Sequence, residues 1–298
     1  MLANLQTEQP NWQTERLDIS NSLEIVTLMN HAEKMVPQAV EAVLPKVALA
    51  VDHIVDNVKR GGRLFYVGAG TSGRLGILDA TECPPTFGTS PDLVQYVMAG
   101  GESAVFEAVE HAEDDDEAGA KELRTRRLSK NDSVIGLTAS GRTPFVIGAI
   151  REATRSGALT VGVTCNLNSD LGKVSEISID VDTGPEVLMG STRLKAGTAQ
   201  KMVLNMISTA TMVRLGKVYK NLMVDLKVTN EKLLERAKRI VMVSADVDYQ
   251  AAEAALEAAD GHVKTAILMV KKGVDKTRAD TLLAEANGFL RIALGEDI

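Results

Sequence analysis

Apolar positions along this chain change period twice. From residue 22 to residue 60 they fall at helical spacing, Leu23, Val26, Leu28 and Met29, then Val40, Val43, Val47, Val51, Ile54 and Val58, until Gly61-Gly62 ends the pattern. Two helices are predicted there. Short continuous apolar runs follow, at residues 64–67, 93–98, 134–138, 160–164 and 177–181. Helical stretches separate the first four, after Ser72, from 103 to about 127 and from 144 to 156, and a short connection precedes the fifth. β-Branched runs alternating with helices predict an α/β fold, a five-stranded parallel sheet flanked by helices. Residues 195–216 return to helical spacing through Ala199, Met202, Val203, Met206, Ile207, Ala210 and Val213, a stripe suited to a core or a dimer interface. From about Ser244 the chain turns Ala-rich, and Gly261, Gly273 and Gly288 punctuate three short predicted helices, 249–260, 262–272 and 275–287.

Composition narrows the function classes. Of 298 residues 45% are hydrophobic but only 3% aromatic, so Ala, Val, Leu, Ile and Met must fill the core, which favours α/β or all-α packing. A net charge of −7 without clustered aromatics argues against nucleic-acid binding and leaves a small anion as a partner. The first ten residues lack the basic and apolar regions of a signal peptide, and residues 36–55 are interrupted by Pro37, Glu41, Pro45, Lys46 and Asp52, so a cytoplasmic chain with no membrane span is expected. Cys83 and Cys165 show no metal-ligand spacing, and the four histidines share none either. Neither a metal nor another cofactor is expected.

Candidate chemistry lies at two strand ends. The segments Val67-Gly-Ala-Gly-Thr-Ser-Gly-Arg74 and Thr138-Ala-Ser-Gly-Arg-Thr-Pro144 each carry Ser-Gly-Arg directly after an apolar run. Ligands on parallel sheets sit at the carboxyl ends of strands, where glycines allow close backbone approach and hydroxyls and amides bond phosphate oxygens. This makes Ser72, Gly73, Arg74, Ser140, Gly141, Arg142 and Thr143 candidates for binding the phosphate of a small metabolite, against the alternative of ordinary tight turns. Gly68-x-Gly70-x-x-Gly73 also matches a dinucleotide fingerprint, but the next strand ends in Met98-Ala-Gly-Gly, with no acidic residue before Glu102. Neither loop has the Gly-Lys-Ser/Thr of a P-loop. A third polar block, residues 184–201, gathers Ser191, Thr192, Arg193, Lys195, Thr198 and Lys201 where a helix begins, which suits an anion or polyhydroxyl ligand or simply a capped helix start.

The two glycine loops resemble those of the sugar isomerase (SIS) fold. The segments Asp79-Ala-Thr-Glu-Cys-Pro-Pro-Thr86 and Gly184-Pro-Glu-Val-Leu-Met-Gly-Ser-Thr-Arg-Leu-Lys-Ala-Gly-Thr-Ala-Gln-Lys201 resemble the bacterial N-acetylmuramic acid 6-phosphate etherases, whose relatives include the glucokinase regulatory protein. The likeness runs from about residue 15 to the C-terminus. It implies a homodimeric lyase of peptidoglycan recycling that cleaves the D-lactyl ether of its substrate without a metal. It also implies Glu82 and Glu113 as the acid/base pair, with Ser191 and Lys195 completing the pocket. Cys83, Pro84 and Pro85 bring no compensating charge, so Glu82 is expected in a semi-apolar cleft. The alternative for Glu82 is plain surface closing the first helix; read from the residues alone, Glu113 would open a solvated acidic face. The chain is expected to divide into an N-terminal helical segment (1–60) packing on an SIS domain (61–240), followed by a small helical, UBA-like bundle (241–298). Two rival functions keep the loops: a non-catalytic sugar-phosphate sensor, and a ketose–aldose sugar-phosphate isomerase.

Overall fold

The computed structural model describes residues 5–228 and 230–296. Five strands, β1 (Leu64–Gly68), β2 (Val94–Met98), β3 (Ser133–Leu137), β4 (Leu159–Thr164) and β5 (Ile177–Asp180), form one sheet. All are parallel, in the order β2-β1-β3-β4-β5. The expected α/β architecture is therefore present. β1, β3 and β4 are buried along their whole length, which explains why they read as unbroken apolar runs rather than as alternation. Strand order reverses between β1 and β3, and their register pairs Gly68 with Leu137 at the carboxyl ends.

Among the described residues three α-helices precede the sheet where two helices were expected: α1 (Ser22–Glu33), α2 (Val36–Glu41) and α3 (Leu44–Lys59). Pro37 and Pro45 each sit in a first helical turn, where the missing N–H costs nothing, so each starts a new helix. Asn21 opens α1 with a capping box, accepting the Glu24 N–H while the Glu24 carboxylate accepts the Asn21 N–H. Helix α4 (Gly70–Phe87) does not close at Glu82; it continues through Pro84 and Pro85. The long helix expected from 103 to 127 is instead a short α5 (Ser103–Phe106), an irregular stretch and α6 (Asp116–Thr125). Its break is chemical: the Asp115 side chain accepts the Ala118 N–H and starts α6, and His111 takes a left-handed backbone, φ 61°. α7 (Pro144–Arg155) buries Phe145, Val146, Ala149, Ile150 and Ala153 at helical spacing against the sheet core. Full burial is worth about 1.5–3 kcal/mol for each large side chain. α8 (Asp170–Val174) and α9 (Lys195–Arg214) complete this region. The stripe expected on α9 is buried at Ala199, Val203 and Ile207, while Val213 is exposed.

Two compact units emerge, Met1–Thr81 with Asp92–Ser208, and Glu82–Pro91 with Thr209–Ile298. The second contains a hairpin absent from the sequence reading, β6 (Val218–Tyr219) and β7 (Leu222–Met223). It also holds α10 (Glu231–Ala245), α11 (Tyr249–Ala258), α12 (Val263–Lys272), α13 (Lys276–Glu285) and α14 (Leu290–Leu294). Its own core joins Val241, Leu256, Ile267 and Leu290.

Candidate active site

The Gly68–Leu137 register sets the two Ser-Gly-Arg loops side by side, at the point where strand order reverses. This is where open parallel sheets bind ligands. β1 passes into α4 through a contact that only glycines allow: a Cβ on Gly68 would lie 2.7 Å from the Gly73 Cα. Ser72 is buried, and its hydroxyl donates to Gln200 Oε1 of α9 at 2.8 Å. Gln200 Nε2 is buried without a hydrogen-bond partner among the described residues.

In the second loop, the Thr138 hydroxyl lies 2.8 Å from that of Thr143 and 3.2 Å from that of Ser140. The Arg142 N–H donates to Ser140 Oγ at 3.3 Å. Gly141 adopts φ 71°, and a Cβ there would meet the Ser169 Cβ at 2.2 Å, so glycine is required both conformationally and sterically. The Arg142 side chain is exposed, its Nε 4.0 Å from Asp170 Oδ2.

Half-buried Arg74 braces the C-terminal end of α5. Its Nε donates to Val105 O at 2.9 Å, and its Nη2 donates to Ala104 O at 2.8 Å and Glu107 O at 3.2 Å. Glu113 lies six residues beyond Glu107, and with Gly70 and Arg74 it lines a cavity of about 240 Å³. Its side chain is exposed. Two candidate residues, Arg74 from the first loop and Glu113, thus line one cavity, although Arg74 spends its hydrogen bonds on carbonyls.

The third block folds around an acid that the sequence reading did not single out. Glu186 is fully buried; its Oε2 accepts the Lys195 N–H and its Oε1 the Ala196 N–H, both at 3.0 Å, satisfying the start of α9. Burial pushes the Glu186 carboxyl above the usual range, and the Glu33 charge adds to this, against the two N–H bonds and the Lys195 ammonium. Lys195 is buried as well, its Nζ donating to Thr183 O at 2.6 Å, and burial holds its pKa below the ordinary lysine value. It reaches a cavity of about 570 Å³ also lined by Thr14, Thr27 and His31. Ser191 is half-buried in the turn before α9, where its N–H donates to Leu188 O at 2.9 Å. Burial, followed by the Glu186 charge, pushes the Cys165 thiol up to about 12 and keeps it protonated.

Glu82 belongs to the second unit and is exposed, whereas Cys83 beside it is buried. The enclosed setting expected for Glu82 is absent from the single chain: on α4 it stands two positions after the buried Ala80, more than half a turn around the helix, and is exposed. Asp79 itself is an anchor, its Oδ2 accepting the Tyr66 hydroxyl at 2.8 Å and its Oδ1 the Asn205 amide at 2.7 Å and the Ser208 hydroxyl at 3.0 Å. Its signal in the sequence was its place in the segment that contains Glu82. Among the described residues no group of three His, Cys, Asp or Glu side chains is placed to hold a metal ion. No helix among them is long and apolar enough to cross a membrane.

Sheet topology and strand-end loops define an SIS-domain protein. Residues 46–154 match the glucokinase regulatory protein N-terminal SIS domain, and residues 111–210 match the SIS domain. The structure of a phosphoheptose isomerase from Francisella tularensis superposes with a TM-score of 0.53 at 16% identity, covering 65% of this chain and 100% of that one. An N-acetylmuramic acid 6-phosphate etherase of Clostridium beijerinckii is 54% identical, over 99% of this chain and 97% of its own. That of Clostridioides difficile is 52% identical, over 98% and 96%. The chain belongs to the N-acetylmuramic acid 6-phosphate etherase family.

Proposed function

We infer that the chain cleaves the D-lactyl ether of N-acetylmuramic acid 6-phosphate, giving N-acetylglucosamine 6-phosphate and D-lactate in peptidoglycan recycling. Opening of the sugar ring makes the C3 ether β to the C1 aldehyde. Loss of the C2 proton then expels lactate from C3 and leaves an unsaturated aldehyde, to which water adds at C3 while a proton returns to C2. The sequence consumes one water and needs proton transfer alone, a role worth about 10²–10⁴-fold in rate for a positioned carboxyl. Glu82 and Glu113 carry those protons, at C2 and at the ether oxygen. Ser72, Ser140 and Thr143, with the loop amides of Gly73 and Gly141, hold the 6-phosphate; Ser191 and Lys195 complete the pocket.

The pairing of Gly68 with Leu137, which puts both hydroxyl-bearing loops on one crevice, is the observation that carries this assignment. Glu113 supports it by sharing a cavity with Gly70 and Arg74. The chain works as a homodimer in the cytoplasm. Exposed Trp12, Ile19, Leu23, Val26, Met35 and Leu49 support the pairing, since so many apolar side chains in one N-terminal region suit a protein interface.

Incubation with N-acetylmuramic acid 6-phosphate and assay of free D-lactate tests the function. Lactate release is expected from the wild type and is lost in Glu82→Gln, which retains substrate binding. Binding without release by the wild type would identify a sensor, and a rearranged sugar with its ether intact an isomerase. Sedimentation at micromolar concentration reads the dimer.

A further inference from the structure

The second unit contains its own cavity, of about 730 Å³, which the etherase chemistry does not use. It is walled by the segment around Asp225 and by the start of α12. In a chain of net charge −7, three lysines line it, Lys217, Lys227 and Lys264. Lys217 and Lys264 converge on a single oxygen, Asp225 Oδ2, at 3.1 and 2.6 Å. One carboxylate balances one ammonium, so this pair retains a positive charge, and the Lys264 side chain is only 10% exposed. Among the described residues Lys227 donates only a long bond, 3.4 Å, to the Thr89 carbonyl. The other acid on the wall, Asp260, is turned to Lys276 at 3.4 Å.

The backbone adds to the same polarity. α12 begins at Val263, and His262 before it makes no side-chain cap, so among the described residues no side chain caps the first turn of this helix, whose residues Val263, Lys264 and Thr265 line the cavity. Lysine ammoniums and free helix amides together are the donor set that a phosphate dianion takes up. The volume exceeds that of inorganic phosphate and leaves room for a small organic body.

We propose that this cavity binds a phosphate monoester through Lys217, Lys264 and the first turn of α12, as a ligand site separate from the glycine loops of the sheet. Nothing in this assignment depends on the reaction inferred above.

Amide NMR on the full-length protein tests it, with inorganic phosphate and N-acetylglucosamine 6-phosphate as separate titrants. Saturable shifts at Val263, Lys264 and Gly288 are expected with both if phosphate alone is recognised, and with much tighter binding of the sugar phosphate if its organic body also fits. Lys217→Gln and Lys264→Gln should each weaken binding at these amides about 10-fold, the scale of losing one charge-assisted hydrogen bond. Lys217 is half-exposed, so its substitution tests the site even if Lys264→Gln fails to fold. Shifts confined to the Ser72 and Ser140 loops, no shift at all, or α12 shifts that both substitutions leave unchanged would each overturn the proposal.

Discussion

The Glu186 carboxylate accepts the backbone N–H of Lys195, nine residues on, at 3.0 Å, while the Lys195 ammonium is held by the Thr183 carbonyl at 2.6 Å. A buried acid thus positions the residue that opens α9 without making the side-chain ion pair that its sequence neighbourhood suggests.

This arrangement has a pH signature. Burial raises the Glu186 pKa above its ordinary value, so its contribution to stability is complete below that ordinary value and is lost as pH rises through the folded one. Glu186→Gln loses an N–H acceptor, at a cost of about 1–3 kcal/mol, but does not titrate. The stability gap between wild type and variant should therefore narrow as pH rises from about 5 to about 7. Urea denaturation across that range measures it; a gap that widens would contradict the raised pKa.

Ser72 depends on Gln200. Gln200→Leu leaves the hydroxyl without its 2.8 Å acceptor and removes the buried amide donor beside it. One neutral hydrogen bond is worth about 1 kcal/mol, so KM for the sugar phosphate should rise roughly fivefold. kcat should change little, because phosphate anchoring is remote from the reacting carbons. Steady-state lactate assays separate the two constants.

Arg74 is expected to act through position. Arg74→Ala frees the carbonyls of Ala104, Val105 and Glu107 and loosens the segment bearing Glu113. kcat should fall by about 10–100-fold, a scale typical of misplacing a reacting group, with KM within about twofold of wild type. Arg74→Lys should recover only part of the rate, since an ammonium cannot reproduce the fork. A change confined to KM would instead make Arg74 a phosphate ligand.

Asp132 fixes the start of β3 and is 1% exposed. Burial pushes its pKa up, but hydrogen bonds from the Arg63 side chain, the Ser129 N–H and the Arg63 N–H outweigh burial and hold it below the ordinary value. Its contribution to stability is present above the ordinary pKa and is lost as pH falls through the folded one. Arg63→Ala leaves a buried carboxylate short of its cation and should cost about 2–3 kcal/mol near neutrality, below the roughly 3–5 kcal/mol for breaking a fully buried pair because Arg63 is partly exposed. That loss should shrink on acidification. Thermal unfolding at two pH values tests both statements.

Much of this was legible from residue order. β1, β3 and β4 were readable because burial on both faces makes a strand uniformly apolar, and the two loops because glycine next to serine after such a strand has few other uses. Helix ends were harder. The break after Phe106 depends on Arg74 taking carbonyls from thirty residues away, and helical spacing carries no trace of that. Continuation of α4 through Pro84-Pro85 is equally non-local, since local preference alone stops a helix there. Glu186 escaped notice because a carboxylate is ordinarily a surface group; only the folded chain shows two amides waiting for it.

The adjacency of Gly68 and Leu137 also bears on how binding competence arises. These residues are far apart along the chain, and β2, α5 and α6 must be threaded out and back before the two strands can pair. Closing so long an excursion is an entropically late event. The crevice therefore does not exist in any partly formed N-terminal fragment, and a ligand that bridges the two loops clamps the chain at a contact of high sequence separation. A ligand bound across both loops would hold the molecule back from local opening.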